Sequence, residues 1–209
     1  MTLPPRHAPR WPAVLALLGI GAIYLLVSDR LSLGPSWLVL AVVVVWLVPV
    51  GVTHRRGLHH WARWLGMALV VLLTASVALS AVFLVTRLPR GAVAPLTLLE
   101  DAALIWVANI LVFALWYWEV DAGGPFHRHR GPYRSVDFAF PQAIMGDGDA
   151  GGWRPDFVDY LFFAFNTSTA FSPTDTMVLS RRAKVLMMCQ SVVSLVVIVV
   201  LAARAINTL

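Results

Sequence analysis

Charge is scarce in this chain. Asp, Glu, Lys and Arg together make up 13% of it, while hydrophobic residues make up 59%, against about a quarter charged in an ordinary soluble domain. That balance excludes a water-exposed globular domain and leaves a polytopic membrane protein. A single cysteine, Cys189, excludes a disulfide framework and a cysteine quartet for metal. Walker, dinucleotide-binding and nucleophile-elbow patterns are missing, and Gly19-Ile20-Gly21 lies inside an apolar run with no strand before it. No internal repeat is found. Acidic residues are fewer than basic ones, 11 against 16, but the arginines flank apolar runs. The excess of +5 is therefore a topology signal and not a nucleic-acid patch.

What the chain does have is long apolar runs, at residues 12–27, 37–52, 65–85, 96–118 and 183–206. They predict an all-α integral membrane protein of about five transmembrane helices. Arg6 and Arg10 precede the first run as in a signal peptide, but Ser28-Asp29-Arg30 offers no small-x-small cleavage site, so an uncleaved first span is expected. The linker between the second and third runs carries His54, His59 and His60 among Arg55, Arg56 and Arg63. A metal or proton site is one reading. A basic interfacial turn anchored by Trp61 and Trp64 is preferred, because adjacent His59 and His60 point to different sides of a helix. In the third run Ser76 and Ser80 share a face, and Ala75, Ala78 and Ala81 form a small-residue stripe. In the fourth, Glu100 and Asp101 are expected at the interface. Asn109, at membrane depth, either makes an interhelical hydrogen bond or lines a pore.

From residue 119 to 154 the composition turns to Gly, Pro, Asp, Arg and His, a polar insertion without a period. Asp147 and Asp149 resemble the start of a calcium loop, but its later ligands are missing, so a turn is the plainer reading. Glu119, Asp121, His127 and His129 offer ligand types for a surface metal centre at a spacing that matches no known site. No metal, no cofactor and no enzymatic activity are expected.

After the insertion, residues 156–166 form an apolar, aromatic-rich helix of roughly 17 Å, about half the hydrocarbon thickness. Pro155, Asp156 and Asp159 suit its first turn. The pattern then stops, and Pro173 disfavours helix at Ser172, so residues 167–175 are expected to be an extended hydroxyl-rich loop before the last span. Half-helix, loop and span over residues 96–209 resemble the pore module of tetrameric cation channels, with residues 104–118 as the outer helix. The resemblance implies an ion pathway of Thr167, Ser168, Thr169, Ser172 and Thr174, an acidic ring at Asp175, and Asn109 and Asn166 lining the pore. Where a potassium filter has two glycines, this chain reads Thr169-Ala170-Phe171-Ser172-Pro173-Thr174-Asp175. Phe171 and Pro173 cannot readily aim successive carbonyls at an axis.

The same C-terminal part, with Asp175 before Thr176-Met177-Val178-Leu179-Ser180-Arg181-Arg182, is also similar to a family of small bacterial integral membrane proteins without an assigned activity. That likeness implies a multi-pass place in the bacterial inner membrane. Residues 1–95 are then a three-helix region beside the pore-like module. The positive-inside rule puts the N terminus in the cytoplasm, with the insertion and re-entrant loop on the same side, whereas potassium channels open their pore loop outward; either the module is inverted, as in glutamate-receptor-type channels, or one apolar run does not span, or the charge bias misleads. The function expected is a homo-oligomeric, tetrameric conductor of monovalent cations among membrane lipids. A nonconducting scaffold or regulatory subunit is the alternative.

Overall fold

The computed structural model describes residues 10–32, 34–87, 95–128, 133–145, 153–169 and 175–208. Five long helices carry it: α1 Trp11–Leu26, α2 Trp37–Arg55, α3 His59–Arg87, α4 Pro95–Val120 and, at the C-terminal end, α8 Arg181–Thr208. Between α4 and α8 come two short helices, α5 Pro125–Arg128 and α6 Pro141–Ile144, and a longer one, α7 Phe157–Thr169. A two-residue antiparallel pair, β1 Phe138–Ala139 with β2 Met177–Val178, is the one departure from an all-helical fold among the described residues.

Among the described residues four stretches are long and apolar enough to cross a membrane: Trp37–Arg55, His59–Thr86, Leu96–Gly123 and Arg181–Ala203. The expected fifth, residues 12–27, folds as the 16-residue α1, about 24 Å long and so short of the roughly 30 Å hydrocarbon core. Its end is set by Val27, which turns extended, and by Ser28. The Ser28 amide and hydroxyl both donate to Asp101 at the head of α4, at 3.0 and 2.7 Å. Asp101 is therefore buried within the chain and ties two helices together near the head of α4, at one end of the bundle.

α4 is the centre of the bundle. Ile105, Ala108, Val112, Phe113, Ala114, Leu115, Tyr117 and Trp118 are all buried, as befits a helix that is apolar on every side. α1, α3, α7 and α8 surround it, and one core cluster joins residues of the 1–95 region to those of 96–209. The helix expected to be the outer one of a pore module is thus the most enclosed. Tyr24 and Ser80 share a buried hydrogen bond at 3.1 Å, and Trp116 donates to Thr74 at 2.8 Å. Ser76 serves only its own helix, through the Leu72 carbonyl.

Helix order fixes which charges meet. α1, α3, α7 and α8 begin, and α2 and α4 finish, at one end of the bundle, where Arg10 contacts His54 at 3.5 Å. Arg55, Arg56, Arg63, Arg128, Arg181, Arg182 and Lys184 belong to that end. Asp29, Glu100 and Asp101 belong to the opposite one.

The closest helix approach is at Gly21, where a Cβ would stand 2.7 Å from Leu40 Cδ1 and 3.0 Å from Leu40 Cα. Gly21→Val should cost about 1–3 kcal/mol by overpacking. Gly51→Ala, where a Cβ meets nothing within 4 Å, should be neutral or slightly stabilising. Thermal unfolding in detergent measures both, and equal melting temperatures would refute the α1–α2 packing described.

Candidate functional site

α7 starts with a reciprocal cap. Asp156 Oδ1 accepts from the Val158 and Asp159 amides at 2.7 and 3.3 Å, and Asp159 Oδ2 accepts from the Asp156 amide at 2.7 Å. The helix was expected to stop at Asn166 but continues to Thr169, about 20 Å in all. The hydroxyls are accommodated within the helix: Thr167 Oγ1 donates to the Phe163 carbonyl at 2.9 Å and Thr169 Oγ1 to the Phe165 carbonyl at 3.1 Å, a back-bonding that does not itself extend a helix. Asn166 likewise donates to the Phe162 carbonyl at 2.9 Å. The extended loop expected over residues 167–175 therefore does not begin before Ala170.

Ser168 is different, because it is buried and points across to α8. Gln190 Nε2 donates to its Oγ at 2.7 Å and to the Ala164 carbonyl at 2.7 Å. Ser194 Oγ lies 2.9 Å from Ser168 Oγ, and Asn109 Nδ2 donates to Ser194 Oγ at 2.8 Å. The Tyr117 hydroxyl donates to Gln190 Oε1 at 2.5 Å. Asn109, Tyr117, Ser168, Gln190 and Ser194 thus make a polar seam joining α4, α7 and α8, all of it buried. Ser194 lies about 20 Å along α8 from Arg181, and Asn109 about 17 Å before the end of α4, so the seam sits near mid-depth. Only Asn109 Oδ1 in it has no partner among the described residues. Gln190 and Ser194 went unnoticed in the sequence, although their spacing of four on one face of an apolar run was a legible signal.

The chain comes back to the end it left, for Met177 pairs with Ala139. α7 is re-entrant in that sense. Asp175 is exposed and lines, with Asp159, Phe140, Pro141, Gln142, Phe162 and Thr176, a cleft of about 320 Å³ at that end. Ser172 and Thr174 lie outside the described residues, as do His129, Asp147 and Asp149.

Above the seam the polar insertion, aperiodic in sequence, holds a buried ionic cluster. Asp121 Oδ2 accepts from Tyr160 at 2.5 Å and Tyr133 at 3.0 Å. Asp137 takes Arg182 in a bidentate pair, both bonds 2.6 Å, with Ser180 at 2.5 Å and the Ala122 amide at 3.1 Å. Arg128 is buried between the rings of Trp118 and Tyr160, 4.6 and 4.9 Å away, and donates to the Trp118 and Asp121 carbonyls. Left-handed conformations at Ala122, Gly123 and Gly124, φ 49°, 81° and 92°, turn the chain from α4 into this cluster. Glycine suits two of those positions. Asp121 is hydrogen-bonded here by two tyrosines, and among the described residues no three His, Cys, Asp or Glu form a group that could hold a metal ion.

Fold and site together define an α-helical bundle with span-length apolar helices, a short internal helix and an ionic cluster at one end. Comparison with protein-family models, with curated proteins and with solved structures finds no match for the chain. Function is therefore argued from these residues alone.

Burial pushes the Asp137 carboxyl up, but the Arg182 and Ser180 hydrogen bonds, the Arg182 charge and the Ala122 amide outweigh it and hold the group below its ordinary value. A lowered carboxyl contributes stability above its unfolded pKa, about 4, and loses it as pH falls through the folded value. Asp137→Asn should be less stable than wild type by about 2 kcal/mol at neutral pH, an amount kept modest because the Arg182 side chain is half in solvent. The gap should narrow below about pH 4. A gap that stays constant from neutral to acid pH, read by thermal unfolding, would contradict this account.

Proposed function

We propose that the chain is a multi-pass membrane protein that assembles as a homo-oligomer, a tetramer by its resemblance, and passes monovalent cations along the α7–α8 unit. The observation that carries this reading is a half-helix held at mid-depth by the Ser168–Gln190–Ser194–Asn109 seam. Ser168 in its last turn is buried against α8, and the chain returns to the end where it entered. A helix C-terminus carries partial negative charge, and at membrane depth that charge stabilises a cation. Asp159 and Asp175 line a separate cleft beside the first turns of α7, at the end where the chain enters. The outer stripe of α8, Val185, Met188, Val192, Leu195 and Val199, is apolar and exposed in the single chain. A central helix would present such a stripe to copies of itself around an axis. Lipid would cover it in a monomer.

Crossings follow from the helix order. α1 meets α2 at the Arg10–His54 contact and α4 at the Ser28–Asp101 bonds; shorter than a full span by itself, it serves in this reading as the fifth crossing beside the four span-length helices. The arginine-rich end is then cytoplasmic, in the bacterial inner membrane that the family likeness implies. Nucleic acid has no part in this reading.

One observation favours the nonconducting alternative, a scaffold or regulatory subunit. Ser168, Thr167 and Thr169 all spend their hydroxyls inside the chain, which leaves fewer oxygens for an ion. Flux separates the two. In proteoliposomes the wild type should conduct monovalent cations, and Asp175→Asn should lower that flux by roughly tenfold at low ionic strength and less in high salt. The detergent complex should have the mass of about four chains, and a reporter at Leu209 should read periplasmic. A monomer without flux would leave the scaffold standing.

A further inference from the structure

At the arginine-rich end, away from α7 and α8, a cleft of about 290 Å³ is lined by Arg10, His59, His60, Arg63, Glu119 and His127, together with Phe126 and the turn at residues 123–125. Three of its buried polar atoms have no hydrogen-bond partner among the described residues: Arg63 Nε, His59 Nδ1 and Glu119 Oε2. Of these Arg63 Nε is a donor without an acceptor, which is costly and suits an occupant that brings an acceptor oxygen, whereas Glu119 Oε2 is itself an acceptor and calls for a donor. The His59 ring is held in place by stacking on Phe126 at 3.9 Å. Gly124, φ 92°, opens the back wall, since a Cβ there would meet the Glu119 carbonyl at 3.1 Å and Arg63 Nε at 3.5 Å. Two guanidinium groups against one carboxylate select an anion, and the planar guanidinium fork matches a phosphate.

The floor of the cleft adds a second observation. Arg10 and Glu119 also line an apolar crevice of about 70 Å³ that continues between α1, α2, α3 and α4, walled by Leu17, Leu47, Leu69 and Leu115. A cationic chamber opening onto a hydrocarbon slot has the chemistry of an amphiphile with an anionic head. We propose that this composite pocket binds a phospholipid, with the headgroup phosphate on Arg63 and Arg10 and the start of an acyl chain in the crevice. The site is independent of the ion pathway, since none of its residues belongs to α7 or α8.

The test is a titration of the delipidated full-length protein in mild detergent, read by native mass spectrometry. The probes are phosphatidylglycerol, diacylglycerol with the same acyl chains, and inorganic phosphate. A single phosphatidylglycerol should bind, and about tenfold more weakly in Arg63→Gln, which loses a charge-assisted donor. Gly66→Leu should weaken it comparably, because residue 66 lines the crevice and a Cβ there meets no atom within 4 Å, so the added side chain fills the slot without a clash. Diacylglycerol should not bind, and millimolar phosphate should not compete. Equal binding of diacylglycerol would remove the arginines from the site. Competition by phosphate with Gly66→Leu unaffected would make it a site for free phosphate. Unchanged lipid binding in both variants would put the lipid elsewhere. Each of these three results overturns the proposal.

Discussion

The Asp137 carboxylate is where three distant stretches of the chain are made to agree. It accepts both nitrogens of the Arg182 fork at the head of α8, the Ser180 hydroxyl just before that helix, and the Ala122 amide just after α4. The Asp137 carbonyl also accepts from the Leu179 amide at 2.9 Å, beside the short β pair. A buried carboxylate is tolerable only when its lone pairs are filled, so each of these partners is held in register with the other two. The end of α4 and the start of α8 are thereby fixed side by side, and α7 is hung between them through Tyr160 on Asp121. What a strand pairing does in a sheet protein is done here by one acid.

From that anchor the depth of α7 follows. With its first turn pinned under Asp121, a helix of 13 residues ends where Ser168 can meet Gln190 and Ser194. Inside an apolar bundle those groups have no water to turn to, so they satisfy one another and Asn109. The seam is therefore both glue and depth gauge. It is also the source of tension in the functional reading: the more completely the polar groups pair within one chain, the fewer remain to face an ion. Carbonyls escape this tension in part, because the last four of a helix have no backbone partner within it, although the Asn166 carbonyl accepts from Thr169 Oγ1 at 3.2 Å. A pathway built on the α7 terminus would draw on backbone oxygens, as filters do, and only secondarily on the hydroxyls.

Hydrophobic runs made the helices legible before any coordinates. α2, α3, α4 and α8 begin and end within a few residues of the ends of apolar runs, because backbone desolvation leaves helix as the open choice there. The short α7 was legible for the same reason, together with its Asp156 and Asp159 cap. Three things were not. The persistence of α7 through Thr169 was hidden because Thr and Ser read as loop formers in isolation, whereas here their hydroxyls fold back onto carbonyls of the preceding turn. The ionic cluster was hidden because Asp121, Arg128, Tyr133 and Asp137 lie in an insertion with no period while Tyr160 and Arg182 lie on α7 and α8, and only the fold brings them together. The role of Asp101 was hidden because its partner, Ser28, is 73 residues away.

The distribution of charge ties these parts to an orientation. Arginine collects at the end that also carries the ionic cluster, the cleft of His59 and Arg63, and the acidic mouth of Asp159 and Asp175. The opposite end holds Asp29, Glu100 and Asp101, the last bonded to Ser28 just beyond α1, and by chain position Arg30 and Arg87 as well. The chain thus gathers most of its polar chemistry, and both candidate clefts, at one end of the bundle. An orientation set by the positive-inside rule would turn that end to the cytoplasm, where anionic lipid headgroups and cations are both present.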